Sequence, residues 1–164
     1  MSRYNVAKIK WKDRRIDEIQ FTPASLGVKL EPNSNVCSVV AVAFALNLTF
    51  DDAYELLMFE GYSQRKLFNT PSVISEVLNG VYTFHKIPSK EILSVLEFIK
   101  TGPPSNNVNK PYLIFIPRHI FYYSRGVIYD GQLRENKHYV FRNRKMRLKR
   151  LEQPVIAYYE CNDG

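Results

Sequence analysis

The stretch Asn33-Ser34-Asn35-Val36-Cys37-Ser38-Val39-Val40-Ala41-Val42-Ala43-Phe44-Ala45-Leu46 decides the fold. Ser34 and Asn35 are N-capping residue types, whose side-chain oxygens accept from the free amides of a helix's first turn. A helix is expected from about Asn35 to Leu48, ending near Asn47, with Cys37 in its first turn. Val39 to Leu46 leave no polar face, so the helix has to be buried rather than amphipathic. A thiol at the positive end of such a helix has a physical reason to ionise, because unpaired amides and the helix dipole favour thiolate. The plain alternative is a packed cysteine that opens a core helix. A base elsewhere in the chain decides between them.

Downstream, the pattern stays helical. Thr49-Phe50-Asp51-Asp52 starts a second helix with Thr49 as cap, and Gly61 is its expected stop. Thr70-Pro71 starts a third, with Asn79-Gly80 at its end. Val81 to Lys86 alternates as a strand. Ser89 is the expected cap of a fourth helix to Lys100, with Ile92, Leu93, Leu96 and Ile99 on one stripe. Thr101 to Lys110 reads as a surface loop. Beyond Pro111 strand follows strand: Tyr112–Ile116, His119–Ser124, Val127–Asp130, Tyr139–Arg142 and Val155–Glu160. Upstream, Tyr4–Trp11 alternates loosely as a short basic strand. A helical first half and an antiparallel second half make an α+β protein. One domain is expected over 1–164: a basic segment 1–30, a helical half 31–100 and a sheet half 111–160.

The totals agree with that class. The chain has 164 residues, 45% of them hydrophobic and 13% aromatic, enough for a sizeable core without disulfides or metal. Two cysteines, Cys37 and Cys161, make no disulfide framework. No apolar h-region follows the first residues and no apolar run reaches membrane-spanning length, so a cytoplasmic protein with no membrane partner is expected. No Cys/His pair has zinc-ligand spacing, so neither a metal nor a cofactor is expected. The formal net charge of +7 favours acidic partners.

A nucleophilic cysteine needs a base, usually histidine, oriented by a third polar group. His85 and His138 are alternatives. His119 opens an aromatic strand that returns through Arg125-Gly126. A two-residue turn there, or a four-residue loop over Ser124–Val127, pairs Tyr123 with Ile128 and so Phe121 with Asp130. His119 and Asp130 are then diagonal neighbours on one face, about 7–8 Å apart at Cα. A three-residue loop shifts the register by one and puts them on opposite faces.

These residues carry a resemblance. A capped cysteine opening a buried helix, followed by a β-hairpin with His and then Asp, resembles the papain-like cysteine peptidase fold. Within it the chain is similar to a group of small, mostly uncharacterised proteins of bacteriophages and bacteria. The matching blocks are Asn35-Val36-Cys37-Ser38-Val39-Val40-Ala41-Val42-Ala43 with Phe50 and Ala53, then Tyr112 to His119, then Gly126-Val127-Ile128-Tyr129-Asp130. They cover Cys37–Met58 and Pro111–Asp130, in order. The resemblance implies a Cys-bearing helix packed on an antiparallel sheet, with Cys37 as nucleophile, His119 as general base and acid, and Asp130 orienting His119. It implies amide-bond acyl transfer on a protein or peptide substrate, in the host cytoplasm if the protein is phage-encoded. Papain-type enzymes also hold the oxyanion with an upstream Gln. Glu31 stands at that position, leaving Asn33 and Asn35 as the nearest amides. A missing donor costs about 10²–10³ in rate.

The last third is basic: Arg134, Lys137, Arg142, Arg144, Lys145, Arg147, Lys149 and Arg150, with Tyr139 and Phe141 interleaved. On a strand surface such residues suit phosphate contacts and base stacking. They suit equally a solvated sheet edge protected from pairing. The alternative function is therefore a catalytically silent papain-like scaffold. It would bind nucleic acid or a host protein through Arg142, Arg144, Lys145 and Arg147.

Overall fold

A computed structural model describes residues 20–23, 37–103, 110–130 and 144–162; at 20–23, Asp130, Arg144, Met146 and Arg147 it describes the backbone alone. Five α-helices are described: α1 (Cys37–Leu46), α2 (Phe50–Gln64), α3 (Pro71–Val77), α4 (Val95–Thr101) and α5 (Arg144–Glu152). Eight strands accompany them: β1 (Gln20–Pro23), β2 (Tyr82–Lys86), β3 (Leu93–Ser94), β4 (Tyr112–Ile116), β5 (His119–Ser124), β6 (Val127–Asp130), β7 (Pro154–Val155) and β8 (Ala157–Cys161). Six strands form one sheet in the order β1-β6-β5-β4-β8-β2, and β3 pairs with β7 in a two-residue ladder beside it. Neighbours in the large sheet run antiparallel except β1, which lies parallel to β6. The chain is thus α+β, with helices on an antiparallel sheet.

The sheet has two covered faces. Strand alternation sends Leu113, Ile120 and Tyr159 to one face, where they join Val39–Ala43 of α1, Ala53 and Leu57 of α2, and Val73 and Ile74 of α3. It sends Tyr112, Ile114, Ile116, Phe121, Tyr123, Ile128 and Tyr158 to the other, against Val95, Phe98 and Ile99 of α4 and Leu151 of α5. Helix α1 lies between β5 and α2. Both sides of it are therefore apolar contacts, which explains a helix without a polar stripe.

Two tight turns set the register of the central hairpins. Between β4 and β5, Pro117 is followed by Arg118 at φ +63°. Pro at the first corner and a left-handed residue at the second is the type II arrangement, which usually selects Gly or Asn at the second. Between β5 and β6, Arg125 at φ +50° and Gly126 at φ +81° make a two-residue turn of type I′ character. Tyr123 pairs with Ile128, the expected register.

Several local expectations need correction. Helix α2 runs through Gly61 to Gln64, and Arg65 at φ +55° closes it instead. Gly61 is needed for a different reason: Lys66 N–H donates to its carbonyl at 2.8 Å, and a Cβ on Gly61 would lie 2.8 Å from the Lys66 carbonyl oxygen. Ser89 does not cap a long helix. Ser89–Glu91 is a single 3₁₀ turn, Leu93–Ser94 is strand, and α4 begins at Val95. Its cap is Ser94, in a reciprocal capping box with Glu97. The basic segment from Arg144 is a helix, not a strand surface. Tyr4–Trp11 and Tyr139–Arg142, expected as strands, lie outside the described residues.

Candidate functional site

Cys37 is the first residue of α1, and His119 is the first residue of β5. Each therefore sits at the end of its element, and both ends meet at the β4–β5 turn. There an open cavity of about 360 Å³ is lined by Cys37, Ser38, Asn69, Arg118 and His119 over an apolar floor that includes Ile74, Ile120 and Ile156. Cys37 is half-buried and free of any disulfide, as is Cys161.

The alternation of β5 gives this meeting a particular geometry. His119 pairs directly with Ile116, whose side chain belongs to the α4 face. The imidazole lies beside Phe121, with ring centroids 6.2 Å apart. Cys37 packs instead with the α1 face. The two residues share one cavity at the end of the sheet, and they reach it from opposite faces. Asp130 ends β6, where its backbone pairs with Pro23. One further step of the β5–β6 ladder sets it opposite Phe121, and its side chain lies outside the described residues.

The cavity also contains polar groups that sequence reasoning missed. Ser38 is 1% exposed, and among the described residues its hydroxyl has no hydrogen-bond partner. An unsatisfied buried hydroxyl costs about 1–3 kcal/mol. Asn69, half-buried on the α2–α3 connection, brings a carboxamide to the same space. Asn33 and Asn35, the expected oxyanion donors, lie outside the described residues, as does Glu31. No sequence signal marks Asn69, because its approach to Cys37 depends on how the α2–α3 connection folds back.

The other histidine described is built into the sheet. His85 Nε2 stands 3.7 Å from Glu160 Oε2, and its ring stacks on Tyr158 at 4.9 Å. Tyr112 donates to Glu160 Oε1 at 3.3 Å. Strands β4 and β8 separate β2 from β5, which puts His85 away from Cys37. His138 lies outside the described residues. Burial pushes the Tyr112 hydroxyl up, and the neighbouring Glu160 carboxylate adds to the shift. Burial likewise raises Tyr82, with Tyr122 and Cys161 contributing. Among the described residues no group of three His, Cys, Asp or Glu side chains could hold a metal ion. No single helix among them is long and apolar enough to cross a membrane.

Of the basic residues expected to form one surface, Lys145 and Lys149 are exposed on α5. Arg150 is 7% exposed and donates to Gln153 Oε1 at 2.7 Å. Arg142 lies outside the described residues, as do the side chains of Arg144 and Arg147.

No protein-family model, no curated protein and no solved structure matches this chain.

Proposed function

We propose that the protein is a papain-like thiol enzyme that transfers an acyl group from an amide or related bond. The observation that carries the reading is the shared cavity of Cys37 and His119 at the end of the sheet. The Cys37 thiolate attacks the substrate carbonyl and forms a carbon–sulfur bond, while negative charge develops on the carbonyl oxygen. First-turn amides of α1, which have no acceptor within the helix, face that charge. The Asn69 carboxamide supplies a further donor from the cavity wall. Collapse breaks the carbon–nitrogen bond, and His119 gives its proton to the departing amine. Water, or a second amine, then takes the acyl group from sulfur. The apolar floor favours an acyl side chain without charge, in a protein or peptide substrate. Asp130 keeps the role of orienting His119. The setting we propose is a host cytoplasm, for a phage-encoded protein.

A second reading has its own observation. His119 reaches the cavity from the face opposite Cys37, which suits a scaffold that keeps the positions without the chemistry. That protein would act by binding nucleic acid or a host protein through the exposed lysines of α5 and the basic residues beside them. Alkylation by iodoacetamide separates the two, with Cys161 as internal reference in the same chain. The enzyme reading expects Cys37 to react at least about tenfold faster than Cys161 at neutral pH, and His119→Ala to remove most of that advantage. Equal rates at the two thiols, unchanged by His119→Ala, would sink it.

A further inference from the structure

The longest helix carries an apolar face that no other described residue fully covers. Of the large hydrophobic side chains left exposed, Tyr54, Leu56, Met58, Phe59, Tyr62 and Leu67 all belong to α2 or the turn after it. Tyr62 is 86% exposed, Leu67 74% and Phe59 70%. Patches of this kind on a soluble chain mark interaction sites. Single-stranded nucleic acid would want aromatic and basic residues without carboxylates. Here exposed Asp51, Asp52 and Glu55 crowd the same helix.

The order of residues on the face is palindromic. Asp51, Tyr54, Met58, Tyr62 and Arg65 follow one another at spacings of three, four, four and three. Asp51, Tyr54, Met58 and Tyr62 line up along one side of α2, and Arg65, the left-handed residue that closes the helix, follows at its end. Asp51 and Arg65 each stand seven residues from Met58, and Tyr54 and Tyr62 each stand four. Both end residues are exposed. Among the described residues neither the Asp51 carboxylate nor the Arg65 guanidinium has an ion-pair partner within the chain. A twofold axis at Met58, with two copies of α2 antiparallel, therefore sets each Asp51 against the partner copy's Arg65. It also sets each Tyr54 against the partner copy's Tyr62. That is the self-complementarity an isologous interface requires. The turn after the helix widens the face. Arg65 in the left-handed conformation and the close approach at Gly61 fold Leu67 back beside Phe59 and Tyr62, around a shallow depression.

We propose that the protein forms a symmetric homodimer through antiparallel pairing of α2 about Met58. The face is about four helical turns long, roughly 22 Å, which places the interface at the small end of stable ones and makes dimerisation concentration-dependent.

The test is sedimentation velocity of the full chain over a concentration series, with circular dichroism as the check on folding. The expected result is a reversible monomer–dimer equilibrium reached by about 100 μM. Met58→Lys puts two like charges at the axis and should weaken dimerisation at least tenfold with an unchanged spectrum. Asp51→Arg and Arg65→Asp should each weaken it several-fold, and the double charge swap should restore it. A monomer throughout the series overturns the proposal. So does a dimer indifferent to Met58→Lys, or single charge reversals that the double swap fails to rescue. Single-stranded DNA binding by a monomer, lost on Tyr62→Ala, also overturns it. None of these readouts involves Cys37, so the dimer and the thiol chemistry stand or fall separately.

Discussion

The two faces of the sheet are covered by different means. On the α1 face the helices supply most of the buried residues, and these are mainly aliphatic: Val39 to Ala43, Ala53, Leu57, Val73 and Ile74, with Phe50, Tyr82 and Tyr159 the buried rings among them. Tyrosine hydroxyls that reach this face find helix partners, Tyr82 donating to the Ala45 carbonyl at 3.2 Å and Tyr159 bonding Ser75 Oγ at 2.5 Å. On the α4 face the described helices have only seven and nine residues, and the sheet supplies much of the bulk through rings. Phe98 meets Tyr112 and Tyr158 edge-on, with centroids 5.2 and 5.3 Å apart. Glu160 and His85 are threaded into that side. The lesson concerns what each helix can bury. Long apolar helices close a face by themselves, whereas short ones leave aromatic strands to fill the space and admit polar groups between the rings.

The largest effect expected from this contrast lies on the aliphatic side. Leu57 of α2 is fully buried in the core on the α1 face. Leu57→Ala should cost about 2–5 kcal/mol, since closely packed helices collapse little onto the cavity left behind. Urea denaturation with an unchanged slope would measure it. A loss below about 1 kcal/mol would mean that this face is looser than the aromatic one.

Alkali should act on both faces at once. Tyr82, Tyr112, Tyr122 and Tyr159 are all raised, each chiefly by burial. In the unfolded chain a tyrosine ionises near pH 10, while in the fold these four stay neutral beyond that. Raising the pH therefore draws protons from the unfolded state first. Stability is complete below about pH 10 and falls above it, by about 1.4 kcal/mol per pH unit for each tyrosine still neutral in the fold. Tyr112→Phe removes one such group from the α4 face and should flatten the decline by a corresponding share. Fluorescence-monitored unfolding between neutral pH and alkali reads the slope directly. An unchanged slope in Tyr112→Phe would place the alkaline sensitivity on the α1 face alone.

The same contrast separates what the sequence carried from what it concealed. Helix α1 was legible because a run without any polar face has only one place to go. The central hairpin was legible because its register follows from a two-residue turn, and Arg125-Gly126 provides one despite being a weaker type I′ signal than Asn-Gly. Asp130 and its register partner could be aligned, but alternation also puts His119 on the face away from Cys37. Counting residues along the hairpin alone does not reveal that, because it depends on which face α1 covers. Asn69 and Ser38 were hidden for a similar reason: their cavity exists only where the β4–β5 turn meets the start of α1. The helix over Arg144–Glu152 was masked by its charge. Arg, Lys, Met and Leu are good helix formers, and Leu148 and Leu151, half-buried and buried, have helical spacing. Basic content drew attention to partners rather than to period.

The smallest expected effect concerns the start of α4, where the pattern misled. Ile92, Leu93, Leu96 and Ile99 do fit a helical stripe, and Ser89 is a plausible cap for it. Yet Leu93 and Ser94 pair with Val155 and Pro154 as strand, and Val95 N–H donates to the Gln153 carbonyl at 2.9 Å. Tertiary pairing thus overrides the stripe, and the helix starts five residues late on a cap that also closes a ladder. Ser94 Oγ accepts from Glu97 N–H at 3.1 Å, and Glu97 Oε1 accepts from Ser94 N–H at 3.2 Å. Ser94→Ala should cost about 1 kcal/mol, and Ser89→Ala should stay within about 0.5 kcal/mol of the parent, as an exposed residue without a capping bond does. Chemical denaturation of the two variants side by side decides it. If Ser89→Ala proves the costlier, the aromatic face is held by a longer helix than α4, and its dependence on rings for bulk would need another cause.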